Sequence, residues 1–258
     1  MKNQIFNFKR FGRYASGTLI LRYRQILLLS GAAVAGIFIF SFFTLLNNQS
    51  WDENRWLELI IPLTIVCGLL YAGSAFPSFR SREKTLGYLM IPSSSFEKIL
   101  YEFIERIVAF TLIFPLFLYL FGNLAANMVI RIKQFKHLNF NIEHLSLINL
   151  IQRNNNGSVL TLFTGSIAVF LLVFAGAVTF KKYPLVKTII FSMIILFAIS
   201  GYFYLIFEKM ELRNPWIEKI GNHLHNEQAF TILTIASLIF SVITLFYSYF
   251  KLKEKEVS

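Results

Sequence analysis

Apolar blocks with almost no charge dominate the pattern along the chain, and short polar segments separate them. A hydrocarbon core of about 30 Å requires roughly 20 apolar residues of helix, because every backbone amide must find its hydrogen-bond partner within its own segment. Six blocks meet that length. We therefore predict an all-α, polytopic membrane protein with one transmembrane domain over residues 1–258. The predicted spans are 26–46, 56–76, 107–130, 159–180, 188–207 and 229–250.

Residues 1–25, the leader before the first span, combine aromatic and basic side chains. Phe8, Phe11, Ala15 and Leu19 recur at helical spacing and are interleaved with arginines and a lysine. This arrangement predicts an interfacial helix, with apolar side chains in the membrane surface and cations among the headgroups. The leader is long and the following block is full length, so we expect a retained span and not a cleaved signal peptide.

The chain is basic, with 25 Lys plus Arg against 14 Asp plus Glu, and the placement of these residues matters more than their sum. An N-terminus on the cytoplasmic side would leave about twice as many basic residues inside as outside, although the group between Arg131 and Arg153 weakens the bias. We expect a multi-pass protein of the bacterial inner (plasma) membrane with both termini in the cytoplasm. The charge then serves orientation and contact with membrane lipid, and no nucleic acid is expected as a partner.

Few residues suggest chemistry on this chain. It has no glycine-rich phosphate loop ending in Gly-Lys-Ser or Gly-Lys-Thr, and no span centre contains a charged residue or a histidine. Glu102, Glu105 and Arg106 stand at the start of the third span, where Glu102 and Arg106 are predicted to form a stabilising surface pair. The four histidines match no metal-binding spacing. We expect neither an enzyme nor a metal or cofactor site.

The connection over residues 77–100 is the only predicted cytoplasmic loop long enough to hold structure of its own. A short helix is predicted over 81–90, and Ile91 should leave it because the residue before Pro92 favours extended geometry. Ser94 and Glu97 have the spacing of a capping box that starts the helix of the third span. The outer connection 131–158 is polar and without a clear period, so no regular structure is predicted there.

The segment Gly87-Tyr88-Leu89-Met90-Ile91-Pro92-Ser93-Ser94-Ser95-Phe96-Glu97-Lys98 resembles a segment of small bacterial permeases, the transmembrane subunits of type-two ATP-binding-cassette (ABC) exporters. The opening Phe6-Asn7-Phe8-Lys9-Arg10-Phe11 is similar to the leaders of that family. Two spans, a structured loop and four further spans, with no nucleotide site, extend the resemblance over the whole chain.

The resemblance implies that the 77–100 loop is a coupling loop, whose helix docks on a separate cytoplasmic ABC ATPase. The implied coupling residues are Arg82, Glu83, Leu86, Tyr88, Leu89, Pro92, Ser94 and Glu97. The first five would face the ATPase, and the others would shape the turn into the third span. It also implies ATP bound only by the partner, and a second permease copy or paralogue.

Two alternatives remain, and one feature departs from the family. The segment 208–228 is too charged for the apolar re-entrant helices that such permeases often carry, which leaves the substrate route open. A non-transporting scaffold that assembles an envelope complex would use the same loop for docking. A membrane enzyme would need clustered polar residues at one membrane face, and only the Glu102 group qualifies.

Overall fold

A computed structural model describes residues 6–80, 85, 87–88, 90–137, 140–146, 158–205 and 226–257. Within these residues the chain is mostly helical, and six helices are long and apolar enough to cross a membrane. The helices are α1 (Phe8–Asn47), α2 (Glu53–Gly73), α3 (Ser95–Phe135), α4 (Ser158–Thr179), α5 (Pro184–Tyr204) and α6 (Asn226–Val257). The prediction of six apolar spans is confirmed at this level.

The leader is not a separate helix. Residues 8–25 continue into the first predicted span without a break, so α1 has 40 residues. The Asn7 side chain accepts hydrogen bonds from the backbone amides of Lys9 and Arg10 and so caps the helix. Leu19, Ile20 and Leu21 are exposed apolar side chains that extend the apolar surface of α1 before the span we predicted.

The α3 helix begins where the sequence predicted. The Ser94 hydroxyl accepts from the Glu97 amide, and the Glu97 carboxylate accepts from the Ser94 amide, which completes the capping box. Residues 91–94 are not helical, as expected before and at Pro92, whereas Met90, which was predicted to end the helix over 81–90, lies in a turn. The helix runs through Ser95–Phe103, widens into a π turn over Ile104–Val108, and continues as Ala109–Phe135.

The chain divides into two compact units. The first unit contains residues 1–71 and 91–153, with α1, α3 and most of α2. Here α1 and α3 run in the same direction, because Arg10 contacts Glu97 near the two helix starts while Lys133 contacts Leu45 near the two ends. A common direction is what the first and third spans of a multi-pass protein require.

The connection after α3 has more structure than predicted. Strand β1 (Ser50–Trp51) pairs in parallel with strand β2 (Asn141–Ile142). The indole of Trp56 donates to the Glu143 carbonyl at 3.0 Å, and Asn123 exchanges two hydrogen bonds with the Leu145 backbone. The expectation of no regular structure over 131–158 is therefore wrong for the described part. These contacts join residues far apart in the sequence, which local periodicity does not reveal.

The second unit contains residues 72–90 and 154–258, with α4, α5 and α6. Gly176 of α4 faces Thr188 of α5 so closely that a Cβ at the glycine would lie 1.7 Å from the threonine hydroxyl oxygen. Thr161 of α4 and Thr234 of α6 share a hydrogen bond of 2.8 Å between their hydroxyls. Small residues and hydroxyl pairs are the means by which helices associate in lipid.

Candidate functional site

The predicted coupling residues divide into described and undescribed groups. Arg82, Glu83, Leu86 and Leu89 lie outside the described residues. Tyr88 is buried in the second unit, and its ring packs edge-on against Phe79 at 5.4 Å between centroids. The buried ring therefore has a packing role within the second unit. Its contact with an ATPase stays a prediction.

Aromatic packing also organises the start of the loop. Phe79 follows α2 in a short 3-10 helix, Pro77–Arg80, and stacks on Phe76 with ring centroids 5.6 Å apart. The Lys255 ammonium lies 4.6 Å from the centroid of the Phe79 ring and donates to the Val178 carbonyl. Through the Val178 carbonyl, Lys255 joins the end of α6 to the end of α4. Through the cation–π contact it also joins α6 to the 3-10 helix that contains Phe79.

The Glu97 carboxylate is the best-connected group at the start of α3. Its side chain is completely buried, and both of its oxygens accept hydrogen bonds from the Arg10 guanidinium at 2.8–3.1 Å. The backbone amides of Asn7 and Ser94 donate to it at 2.8 and 3.1 Å. One carboxylate therefore holds the N-terminus of α1, the N-terminus of α3 and the end of the loop.

A second ionic contact joins the same helices further along. Arg22 of α1 donates to Glu102 at 2.7 Å and lies 3.6 Å from Glu105. Arg106 pairs with the same two carboxylates at 3.7 and 3.4 Å, and its guanidinium lies 4.6 Å from the centroid of the Tyr71 ring. We call Arg22, Glu102, Glu105 and Arg106 the entrance cluster.

Glu102 and Arg106 form the predicted pair, but the prediction that this pair lies at the surface is wrong. The two side chains are 0% and 4% exposed, because α1 covers them and contributes Arg22. With two guanidiniums and two carboxylates the cluster has no net charge, which is how buried ions are tolerated. The missed residue, Arg22, carried one signal, since it directly follows the apolar residues Leu19–Leu21 of α1, and a cation next to an apolar stretch usually has a partner.

The π turn at Ile104–Val108 contains part of this cluster, Glu105 and Arg106. A π turn adds a residue to one turn of helix and leaves backbone groups less regularly paired, so it persists where side-chain contacts stabilise it. Here the buried ion pairs supply such contacts. Turns of this type frequently mark functional positions, which supports a functional role for the start of α3.

The far ends of α1 and α3 are joined by a different cation. Lys133 is buried in the last turns of α3, and its ammonium donates to the backbone carbonyls of Leu45, at 2.9 Å, and Asn48. These carbonyls belong to the C-terminal end of α1, where a positive charge is favourable. Arg22 and Leu45 are 23 residues apart, or about 35 Å by helical rise, close to the thickness of a hydrocarbon core.

Within the described residues, no group of three or more His, Cys, Asp or Glu side chains is placed to hold a metal ion. No protein-family model, curated protein or solved structure matches the chain. The six long apolar helices indicate a multi-pass membrane protein. The contacts at the starts of α1 and α3 are the candidate functional site.

Proposed function

We propose that the chain is the permease subunit of an ABC-type exporter, which moves an unidentified substrate across the membrane by coupling to a separate cytoplasmic ATPase. The partner binds and hydrolyses ATP, and this chain supplies the path and the moving helices. A second permease copy or paralogue completes the transporter. The observation that carries the proposal is the attachment of the loop end to two membrane helices through Glu97.

A coupling loop must transmit force, and its end must therefore be firmly joined to the spans. The capping box fixes Ser94 to the first turn of α3, so a displacement of the loop moves the start of that helix. The Arg10 fork on Glu97 passes the same displacement to α1. A push on the loop would therefore move two spans together.

The entrance cluster supports this mechanism because it provides a second attachment. Arg10 and Arg22 are 12 residues apart, which corresponds to about 18 Å along α1. Two contacts at that separation prevent α1 from pivoting about either of them. Tilting of α1 and α3 as a pair then becomes the easiest response to a force on the loop, through discrete changes of packing.

In the first test, the full chain is purified from its native membrane in mild detergent. The ATPase that co-purifies with it is then identified, and its hydrolysis rate is measured. We expect an ABC ATPase whose hydrolysis is inhibited by vanadate and stimulated by the permease in lipid vesicles. Leu86→Asp with Leu89→Asp should abolish both binding and stimulation. Tyr183→Asp, an equivalent change at an exposed aromatic residue in another predicted cytoplasmic turn, should leave both unchanged.

The second test separates a transporter from a scaffold. Inside-out vesicles prepared with and without the chain are supplied with ATP, and their contents are compared by untargeted mass spectrometry. A transporter produces ATP-dependent accumulation that the Leu86→Asp, Leu89→Asp variant loses. Stable ATPase binding with no accumulated compound would instead assign the chain to an envelope scaffold.

A further inference from the structure

A cavity of about 480 Å³ lies where the start of α1 meets the loop before α3. The first two turns of α1 line one side, and Ile91, Pro92 and Ser93 line the other. Three of the lining residues are basic, and none is acidic. We propose that this cavity binds the phosphate group of an anionic phospholipid.

The charges in the cavity are only partly compensated. Arg10 is held by Glu97, whereas Lys9 and Arg13 form no ion pair within the described part of the chain. Lys9 and Arg13 are four residues apart and lie on one face of the helix, so their side chains converge on the same volume. Two cations without an ion pair among the described residues, beside a compensated one, suit the negative charge and the several acceptor oxygens of a phosphodiester.

Ser93 provides an independent observation. It lines the cavity opposite the cations, and its hydroxyl is buried without a hydrogen-bond partner in the described structure. A buried hydroxyl without a partner is costly, and such a group usually has an unseen partner such as a ligand or water. A phosphate oxygen between the cations and Ser93 would accept its proton.

The phosphate could belong to a lipid or to a soluble compound, and the neighbouring surface favours a lipid. Leu19, Ile20 and Leu21 are exposed by 46%, 70% and 85%. Leu19 lies six residues beyond Arg13, which is about 9 Å along the helix, and a headgroup layer is roughly 5–8 Å thick. Ile20 is seven residues, or about two helical turns, beyond Arg13 and therefore lies on the same face as Lys9 and Arg13. A lipid whose chains cover Ile20 would place its phosphate within reach of these two cations. A soluble phosphate would leave that apolar surface uncovered.

The experiment measures lipid binding to the full-length protein in detergent by native mass spectrometry. Phosphatidylglycerol and phosphatidylcholine with the same acyl chains are compared, and glycerol 3-phosphate is the soluble probe. Each basic residue near a membrane surface is worth about a fivefold factor, so Lys9→Gln with Arg13→Gln should weaken phosphatidylglycerol binding about 25-fold. Ser93→Ala should weaken it about tenfold. Lys181→Gln with Lys182→Gln, which removes the same charge at an exposed turn, should change it less than twofold.

Three outcomes would overturn the lipid site. Equal losses in the two double variants would indicate general attraction by net charge. Saturation by glycerol 3-phosphate at the same concentration as by phosphatidylglycerol would make the ligand a soluble phosphate. Unchanged lipid affinity together with lost ATPase association would assign Lys9 and Arg13 to protein docking. Because both residues are exposed at the start of a helix, folding of the variants should be unaffected, and circular dichroism checks this.

Discussion

The Arg10–Glu97 contact can be measured by a double-mutant cycle of Arg10→Gln, Glu97→Gln and the combined variant. Glu97→Gln keeps the shape of the side chain but loses its charge and sets an amide group against the guanidinium donors. A hydrogen bond to a charged group contributes about 1.5–3 kcal/mol, and the partial exposure of Arg10, 38%, places this pair near the lower limit. We expect Glu97→Gln, at the buried carboxylate, to cost about 2 kcal/mol, Arg10→Gln to cost less, and the cycle to show a favourable coupling energy between the two side chains.

The chain contains a matched control for this cycle. Lys251 and Glu254 form an ion pair at the same distance, 2.8 Å, but both side chains are substantially exposed. Exposed pairs of this type contribute less than about 0.5 kcal/mol. The same cycle at Lys251 and Glu254 should therefore give a coupling energy several times smaller than that of Arg10 and Glu97.

Two measurements check the prediction for the buried carboxylate. Unfolding of the purified protein by titration with a denaturing detergent, followed by tryptophan fluorescence, gives the coupling energy. Stimulation of the partner ATPase in vesicles gives the functional effect, and Arg10→Gln and Glu97→Gln should reduce stimulation while leaving ATPase binding intact. Equal coupling energies for the two pairs, or full stimulation by both variants, would refute the argument that Glu97 joins the loop to α1.

Three further predictions concern helix contacts, and each is measured as a change in unfolding free energy or melting temperature. Gly176→Ala should destabilise the protein by about 1–3 kcal/mol, because its Cβ would overlap a threonine of α5, whereas Gly165→Ala on the same helix meets open space and should be neutral or slightly stabilising. Arg22→Gln should destabilise the protein by about 3–5 kcal/mol, because it leaves two buried carboxylates with one cation. As a control, Arg24→Gln, at an exposed residue of the same helix, should destabilise it by less than about 0.5 kcal/mol. Lys133→Met should cost about 1–2 kcal/mol because it removes the cation from the end of α1, and unchanged stability would contradict this role.

Local features of the chain were predictable because their causes are local. A charge-free block of about 20 residues satisfies its own backbone hydrogen bonds, so the existence of the six helices follows from composition alone. The start of α3 was also predictable, since Ser94, Glu97 and Pro92 act on backbone groups within three residues of themselves. The same local argument predicted a separate leader helix before residue 26, whereas α1 is continuous from Phe8 to Asn47, because no residue near 25 breaks a helix.

The partners of the buried ions were not predictable in this way. Glu102 was identified as a candidate, but its burial depends on Arg22, which is 80 residues away in the sequence and is brought close by the packing of α1 on α3. Lys133 was assigned to an outer connection, although the structure places it against the carbonyl of Leu45, 88 residues earlier.

The sequence by itself determined that six segments form helices long and apolar enough to cross a membrane, and where the third of them starts, since these depend on neighbours along the chain. Only the tertiary structure decided which helices run together and which charges are buried between them. The physical reason is that an ion enters an apolar interior when a partner of opposite charge meets it there, and that meeting is a property of packing.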